Sequence, residues 1–312
     1  MVKISVVIPA YNVENYIIEA VNSVLAQTSL PHEVIIIDDG STDQTADKLD
    51  IYARNPIVRI FHTENCGLGP TRNYGIEKST GEYIYFFDAD DRLERNFIKN
   101  ILKIIRENEA PDIIFFSGMS FLDKNFYTTY CPNYERNIEG IFRHINHPIC
   151  AMQEKKSFYS SACLYVSKKQ LWQLNSLKFK NIVHEDEELI FPLASSAKTI
   201  FVTKNIYFYR RLRKNSIMTS ARSQKNVDAY IVIIKSLLEY YKKHKSYDYF
   251  DALAHKRRLR KFVAKYVTES VQLSSNIDFL FLINVALSGR DAKIIPIWVL
   301  NYIRAKKKIC LF

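Results

Sequence analysis

The sequence predicts an α/β protein with a mostly parallel β-sheet flanked by helices, followed by a helical C-terminal region. Three observations support this prediction. Four short predicted strands, rich in apolar residues, alternate with segments of helical periodicity between residues 4 and 87, a pattern typical of a parallel sheet wrapped by helices. Acidic residues directly follow two of the four strands. The last third of the chain carries apolar segments at helical spacing and a strong basic charge.

The charge distribution predicts where the chain divides. Residues 1–220 hold 26 Lys and Arg and 26 Asp and Glu, whereas residues 221–312 hold 18 basic and 7 acidic residues. The entire net charge of +11 therefore lies in the last third. We predict two domains, 1–220 and 221–312, with their boundary at this change of character.

The composition excludes several classes of protein. With 47% hydrophobic and 25% charged residues, the chain is globular rather than disordered. Its five cysteines contain no CxxC pair, which argues against a disulfide framework or a structural zinc site. No apolar run reaches the ~18 residues of a membrane-spanning helix, and the N-terminal run is too short for a signal peptide. We therefore expect a cytoplasmic protein.

The first predicted strand is residues 4–8 (ISVVI), in which apolar, β-branched residues dominate. Residues 9–12 (PAYN) are predicted to form the loop after it, and residues 16–27 have apolar positions at helical spacing. A dinucleotide-binding fold would need G-x-G-x-x-G in this loop, and that motif is absent. No phosphate-binding P-loop is present either.

The second predicted strand is residues 33–37 (EVIII), and two carboxylates, Asp38 and Asp39, follow it. Ser41 or Thr42 is predicted to cap the next helix. Residues 58–62 form a third, shorter strand, and a helix opens in the glycine-containing segment 67–74.

The fourth predicted strand, residues 83–87 (YIYFF), leads into three acids within four positions: Asp88, Asp90 and Asp91. Ligands of open α/β sheets bind beyond the carboxyl ends of the strands. Neighbouring carboxylates repel each other unless a positive charge lies between them, and Mg²⁺ or Mn²⁺ would supply it. The alternative is a solvated acidic turn.

Four motifs in order, SVVIPAYN, IIIDDGSTD, GLGPTRNYG and GEYIYFFDADD, resemble the inverting glycosyltransferases of family 2, of the bacterial surface-glycan type. HEDEELIF at 184–191 is similar to the family's Glu-Asp catalytic motif, and YRRLRKNSIMTS at 209–220 to its segment over the nucleotide diphosphate. The resemblance implies a GT-A fold, that is, a Rossmann-like, mostly parallel sheet flanked by helices. It covers residues 4–220, so this part is expected to be the nucleotide-sugar-binding catalytic domain.

The resemblance also implies a nucleotide site. The residues that it assigns there are Pro9, Ala10, Tyr11, Asp38, Asp39, Arg72, Asn73, Asp88, Ala89, Asp90, Arg213 and Ser216. Asp39 is expected to accept from the base N–H, and Asp38 to support its loop. Asp90 is expected to bind Mn²⁺ or Mg²⁺ directly, with Asp88 on the ribose or on a water of the metal.

The resemblance further assigns Asp186 as the general base and Glu185 as the residue that orients its loop. Repulsion with Glu187 and Glu188 is expected to raise proton affinity somewhere among these four acids. The alternative is an acidic helix N-terminus favoured by the helix dipole. The basic residues at 210–214 are candidates for a second positive clamp. Small residues at 161–163 leave the identity of the acceptor open.

The predicted function is transfer of a sugar from a nucleotide sugar, expected to be UDP-linked, to a hydroxyl of a glycan or lipid-linked acceptor. The alternatives are a sugar nucleotidyltransferase and a non-catalytic module that binds nucleotide sugars or membranes. Residues 221–312 combine basic and aromatic amphipathic segments, which fits either a peripheral membrane surface on the inner face of the cell membrane or a packed helical bundle. A nucleic-acid partner is not expected, because no RNA-binding motif is present.

Overall fold

The computed structural model of the protein describes residues 2–124, 126–129, 131–143, 147–214, 216, 219–243 and 249–309. The chain divides into two compact units. The first comprises Met1–Asn181 and Leu189–Ser220, and the second comprises Ile182–Glu188 and Ala221–Phe312. The short segment Ile182–Glu188 therefore belongs with the C-terminal helices, although it lies within residues 1–220.

The first unit is built on a ten-stranded sheet over the described residues. Its main path runs β3-β2-β1-β4-β9-β6-β10-β5, with β7 beside β6 and β8 beside β10. The strands are β1 (Ile4–Ala10), β2 (Glu33–Asp39), β3 (Val58–Thr63), β4 (Tyr83–Phe86), β5 (Arg92–Leu93), β6 (Ile113–Leu122), β7 (Asn133–Tyr134), β8 (Gly140–Phe142), β9 (Tyr165–Lys168) and β10 (Ile200–Leu212).

Helices flank the sheet in the first unit and form all the regular structure of the second over the described residues. The helices are α1 (Ile17–Leu25), α2 (Thr45–Leu49), α3 (Leu68–Lys78), α4 (Phe97–Glu107), α5 (His147–Glu154), α6 (Lys169–Leu174), α7 (Glu185–Ser196), α8 (Gln224–Lys243), α9 (Tyr249–Gln272), α10 (Phe279–Ser288) and α11 (Ile294–Ile309).

The predicted α/β class and the helical C-terminal region are confirmed. β1 pairs in parallel with β2 and β4, and β2 pairs in parallel with β3, so the four predicted strands are neighbours. Every residue of β1, β2 and β4 is buried, as continuous apolar runs predict for strands covered on both faces. Beyond β4 the sheet is mixed, because β9 runs antiparallel to both β4 and β6.

Two local predictions are wrong. Pro9 and Ala10 were expected in a loop but are the last residues of β1, where they pair with β2. Proline has no N–H to donate to a neighbouring strand. Pro9 is tolerated because its nitrogen faces β4, which has already ended at Phe86. Neither Ser41 nor Thr42 caps α2, whose N-cap is Gln44 without a side-chain cap.

The second unit packs α8, α9, α10 and α11 together. The charge of its basic segment is partly neutralised, because Arg258, Arg260 and Lys261 form ion pairs with acids of the same unit. Among the described residues, no helix has both the length and the apolar character needed to cross a membrane.

Candidate active site

The carboxyl end of β2 carries two buried acids that accept hydrogen bonds from main-chain N–H groups. Asp39 Oδ1 accepts from Cys66 N–H at 2.9 Å, and Asp39 Oδ2 accepts from Gly67 N–H at 2.9 Å. Asp38 Oδ1 accepts from Ser41 N–H at 3.1 Å. Asp38 thus holds the loop after β2, and Asp39 holds the loop before α3. The contact of Asp39 with a base stays a prediction.

The loop after β1 is joined to the loop after β2. Asn12 has a φ of +50°, an uncommon conformation for a residue other than glycine. Its N–H donates to Ser41 Oγ at 3.0 Å, and its Oδ1 accepts from Thr42 N–H at 2.8 Å. These contacts fix the strained backbone beside Tyr11, whose side chain is half exposed. The two loops therefore form one ordered rim at the carboxyl ends of β1 and β2.

Asp88, the first acid after β4, lies between two guanidinium groups. Arg72 Nη2 donates to Asp88 Oδ1 at 3.0 Å, and Arg210 Nη2 donates to Asp88 Oδ2 at 3.2 Å. Arg72 is only 3% exposed, and its guanidinium lies over the rings of Phe86 and Phe179 at 5.8 and 5.4 Å. α3 and β10 thus bring buried positive charge to the end of β4.

Asp90 and Asp91 are bound by the end of β10. Asp90 Oδ2 accepts from Arg213 Nε at 2.7 Å, and Asp91 Oδ1 accepts from the main-chain N–H of Arg211 at 2.7 Å. Arg211 Nε also donates to Asp90 O at 2.9 Å, and Arg210 Nε lies 3.7 Å from Asp91 Oδ2. The turn after β4 is therefore fixed by a strand that follows it by more than a hundred residues.

We call these side chains the acid–arginine cluster, whose members are Arg72, Asp88, Asp90, Asp91, Arg210 and Arg213. Burial raises the pKa of Asp88, but the two guanidiniums beside it outweigh burial and hold that pKa below its usual value. Burial also raises the pKa of Asp90, and Asp88 adds to the effect. Burial and the neighbouring carboxylate of Asp90 hold the pKa of Asp91 well above its usual range. Asp88 is thus the acid that most favours its charged form. Ala89, between the acids, is buried.

The hydrogen bonds of Asp88 and Asp90 determine which of their oxygens could bind the expected cation. Both Asp88 oxygens accept from guanidiniums, whereas Asp90 uses Oδ2 for Arg213 and makes no hydrogen bond through Oδ1 to the described residues. Within that part of the chain, no three His, Cys, Asp or Glu side chains are placed to hold a metal ion. Magnesium usually takes one or two carboxylates and completes its shell with substrate phosphates and water. Asp90 fits a cation bound in that way, and a cage made of protein alone does not fit.

Two further predicted nucleotide residues fix the main chain. Asn73 Oδ1 accepts from Phe179 N–H at 2.9 Å, and Asn73 Nδ2 donates to Phe179 O at 2.8 Å. Ser216 N–H donates to Thr219 Oγ1 at 3.1 Å, and that hydroxyl donates to Arg213 O at 2.7 Å. Ser216 thus belongs to a turn that holds the main chain of Arg213. Nucleotide contacts of Asn73 and Ser216 stay predictions.

The acidic motif at the start of α7 lies in the second unit. Asp186 is half buried, and its Oδ1 accepts from Glu187 N–H at 2.7 Å. Glu187 is paired with the buried Arg258 and lies 3.1 Å from Lys261 Nζ. The two cations offset the repulsion that the sequence predicts among these acids. Glu185 is buried, and its role in orienting the loop stays a prediction.

His184 precedes this motif with a φ of +65°. Its ring stacks on Tyr230 at 5.7 Å with an interplanar angle of 7°. Burial lowers the pKa of His184 to about 4, so the ring is neutral at neutral pH. A strained residue directly before a candidate base is held in place by ring packing.

Sequence reasoning missed the ion pairs that anchor the site from outside the cluster. The Arg211 side chain pairs with Glu19 and, at 3.1 Å, with Asp123, and it lies over the Tyr16 ring at 5.1 Å. No sequence signal identifies these partners, because they lie 192 and 88 residues away along the chain. The same is true of Arg258, which follows Glu187 by 71 residues.

The chain is similar in sequence to known glycosyltransferases. Residues 5–162 match the family model described as glycosyl transferase family 2. The chain is 33% identical over 223 residues to the glycosyltransferase GlyG of Streptococcus pneumoniae serotype 4, covering 69% of this chain and 72% of GlyG. It is 31% identical over 225 residues to GlyA of the same organism, of which it covers 31%.

The fold is similar to that of a solved structure, S. aureus TarS 1-349 in complex with UDP-GlcNAc. The TM-score is 0.65 at 19% identity, covering 99% of this chain and 92% of that one. At that identity the likeness concerns the fold alone. The family match over half of the chain and the extended similarity to GlyG show that the chain belongs to glycosyl transferase family 2, and it is a glycosyltransferase with the GT-A fold.

Proposed function

We propose that the enzyme transfers a sugar from a nucleotide sugar, expected to be a UDP-sugar, to a hydroxyl group of a glycan or lipid-linked acceptor, with inversion at the anomeric carbon. The observation that carries the proposal is the acid–arginine cluster at the carboxyl end of β4. This is where a ligand of an open α/β sheet binds. The TarS structures with UDP-GlcNAc and with UDP support the choice of donor by likeness of fold.

The nucleotide is proposed to bind along the edge that β1, β2 and β4 share. The base would lie on the rim formed by the loops after β1 and β2, near the half-exposed Tyr11 and the carboxylate of Asp39. Asp39 Oδ1 already accepts from the N–H and the thiol of Cys66, whereas Oδ2 accepts from Gly67 N–H. Because a carboxylate oxygen can accept two hydrogen bonds, Oδ2 is the atom proposed to accept from the base. The ordered loops would therefore receive the base with little rearrangement.

The diphosphate is proposed to meet the cationic side of the cluster. Arg210 and Arg213 hold carboxylates and would turn their remaining N–H groups toward phosphate oxygens, because guanidiniums match phosphate geometry. Asp90 would hold Mn²⁺ or Mg²⁺, with Asp88 as its neighbour. When bound, such a cation supplies Lewis-acid neutralisation of charge on the departing diphosphate.

Asp186 is proposed as the general base. It would accept the proton of the acceptor hydroxyl at a carboxylate oxygen while that hydroxyl oxygen bonds to the anomeric carbon and the bond to the diphosphate breaks. One displacement of this kind inverts the anomeric centre, and no covalent enzyme intermediate forms. A positioned general base contributes roughly 10²–10⁴-fold to the rate. The half-buried position of Asp186 beside buried neighbours supports its selection among the four acids.

The test uses the purified full-length protein and a panel of UDP-sugars, with UDP release as the readout. We expect turnover with at least one donor, loss of turnover with EDTA, and recovery on adding Mn²⁺. Asp90→Ala should remove the response to Mn²⁺. Turnover that EDTA and Asp90→Ala both leave unchanged would refute the metal assignment. Retention of the donor's anomeric configuration in the product would refute the single displacement.

A further inference from the structure

Helix α10 exposes an apolar face. Phe279, Leu280, Ile283 and Leu287 are exposed, and Leu280 and Leu287 reach 74% and 71% exposure. At 100° per residue these four positions fall within a sector of about 100° on the helix. Soluble proteins scatter single exposed apolar residues over their surface, but a contiguous face marks an interaction site.

Helix α11 extends this face. Ile295, Leu300 and Ile303 are exposed. Phe279 joins the two helices, because its ring lies 5.4 Å from the Trp298 ring. It also lies 6.3 Å from the ring of Tyr302 on the same helix. We call the exposed apolar residues of both helices the α10–α11 face.

The charge around the α10–α11 face is predominantly positive. One exposed acid lies at its edge: Asp278, the N-cap of α10, which accepts from Phe281 N–H at 2.8 Å. Residues 279–312 contain six Lys and Arg but a single carboxylate, Asp291. That carboxylate is buried and accepts from Arg260 Nε at 2.6 Å, so it presents no negative charge beside the face. Arg290, Lys293 and Arg304 are exposed. The face is therefore apolar and aromatic with a basic border.

We infer that the α10–α11 face docks on an anionic lipid bilayer, an inference that rests on the proposed lipid-linked acceptor. Apolar and aromatic residues bordered by Lys and Arg are the composition of helices that lie in the headgroup region of anionic membranes. A second copy of this chain is a poorer partner, because it would bring two predominantly positive borders together. The dense basic segment of α9 is not this surface, since three of its basic residues pair with acids of the same unit.

The test is flotation of the full-length protein with vesicles of phosphatidylcholine alone and with phosphatidylglycerol added. We expect binding only to the anionic vesicles. Leu280→Ser/Leu287→Ser should weaken that binding about tenfold or more, because two apolar side chains leave the acyl boundary. The matched control is Ile51→Ser/Leu174→Ser, which removes two side chains of similar exposure, 66% and 73%, from the first unit and should bind as wild type does.

A second arm tests the charge. Arg290→Gln/Lys293→Gln should weaken binding to anionic vesicles, whereas Arg54→Gln/Lys204→Gln, at exposed positions of the first unit, should not. Equal binding to both kinds of vesicle, or equal binding by all variants, would overturn the inference. So would wild-type dimers in sedimentation velocity that Leu280→Ser/Leu287→Ser converts to monomers without any vesicle binding.

Turnover of a water-soluble UDP-sugar separates this inference from the proposed function. Leu280→Ser/Leu287→Ser should release UDP at the wild-type rate while losing vesicle binding. Wild-type protein that binds anionic vesicles but turns over no donor would refute the proposed function and leave the docking surface supported.

Discussion

Glu187→Gln should destabilise the protein while sparing its chemistry, in contrast to Asp186→Asn next to it. Arg258 is 1% exposed and donates to both the carboxylate and the carbonyl of Glu187. Removing one partner of a buried ion pair costs roughly 3–5 kcal/mol. Because Arg258 keeps the carbonyl as an acceptor and Lys261 is partly solvated, we expect the lower end, about 3 kcal/mol.

The assay is thermal unfolding of the full-length protein followed by circular dichroism. At roughly 2 °C per kcal/mol for a chain of this size, Glu187→Gln should lower the Tm by about 6 °C. The control is Glu109→Gln, which removes an exposed ion pair with Arg143 and should leave the Tm unchanged. Asp186→Asn keeps an acceptor for Glu187 N–H, so its Tm should match wild type while turnover falls about 10²–10⁴-fold.

Two outcomes would refute this reasoning. A wild-type Tm for Glu187→Gln would mean that its ion pair with Arg258 contributes nothing to stability. Wild-type turnover by Asp186→Asn would remove Asp186 from its proposed role. Restoration of the Tm in Glu187→Gln/Arg258→Met would support the account, since replacing both charges removes the buried one.

Three other predictions concern separate parts of the chain. Gly40→Ala should lower the free energy of unfolding by more than Gly140→Ala does. Both glycines have a positive φ, but only at Gly40 would an added Cβ meet another atom, Asn65 N at 2.7 Å. Urea denaturation of the two variants measures the difference. Burial lowers the pKa of His255 to about 4, so protonation of His255 alone should cost up to about 3 kcal/mol of stability as the pH falls from 6.5 to 4. His255→Gln should remove that share of the loss in unfolding curves, while the share of His184, whose pKa is also about 4, should remain. Arg210→Lys should weaken UDP binding on the order of tenfold, since a charged hydrogen bond is worth about 1.5–3 kcal/mol. Isothermal titration calorimetry measures this affinity, and an unchanged value would place the diphosphate elsewhere.

Most of the parallel half of the sheet could be predicted because β1, β2 and β4 are continuous buried runs, whereas β3, at the edge, is only partly buried. The ends of the strands could not be predicted from apolar residues alone. Asp38 and Asp39 remain in β2 because they pair with His62 and Thr63 of β3, and main-chain pairing does not require apolar side chains. The short strands β5, β7 and β8 carry no period long enough to detect.

The acids of the site could be predicted because they are adjacent in the sequence. Their pairing with particular arginines could not be predicted, since Arg72 and Arg210 meet Asp88 from 16 and 122 residues away. The pairing of β10 with β6 and with β5, the short strand after the acids, carries Arg210 to the end of β4. The family resemblance assigned Arg72 and Arg213 to the nucleotide site. The anchoring roles of Arg211 and Arg258, in contrast, follow from three-dimensional packing alone.

The segment Ile182–Glu188 belongs to the C-terminal unit, and this bears on how a shortened enzyme would behave. A fragment cut after Ser220 would retain every family motif, and the family match itself stops at residue 162. That fragment would nevertheless leave Glu187 without Arg258 and Lys261, and His184 without its stacking partner. The stretch that identifies the family is therefore shorter than the stretch that holds the candidate base and its neighbours in place.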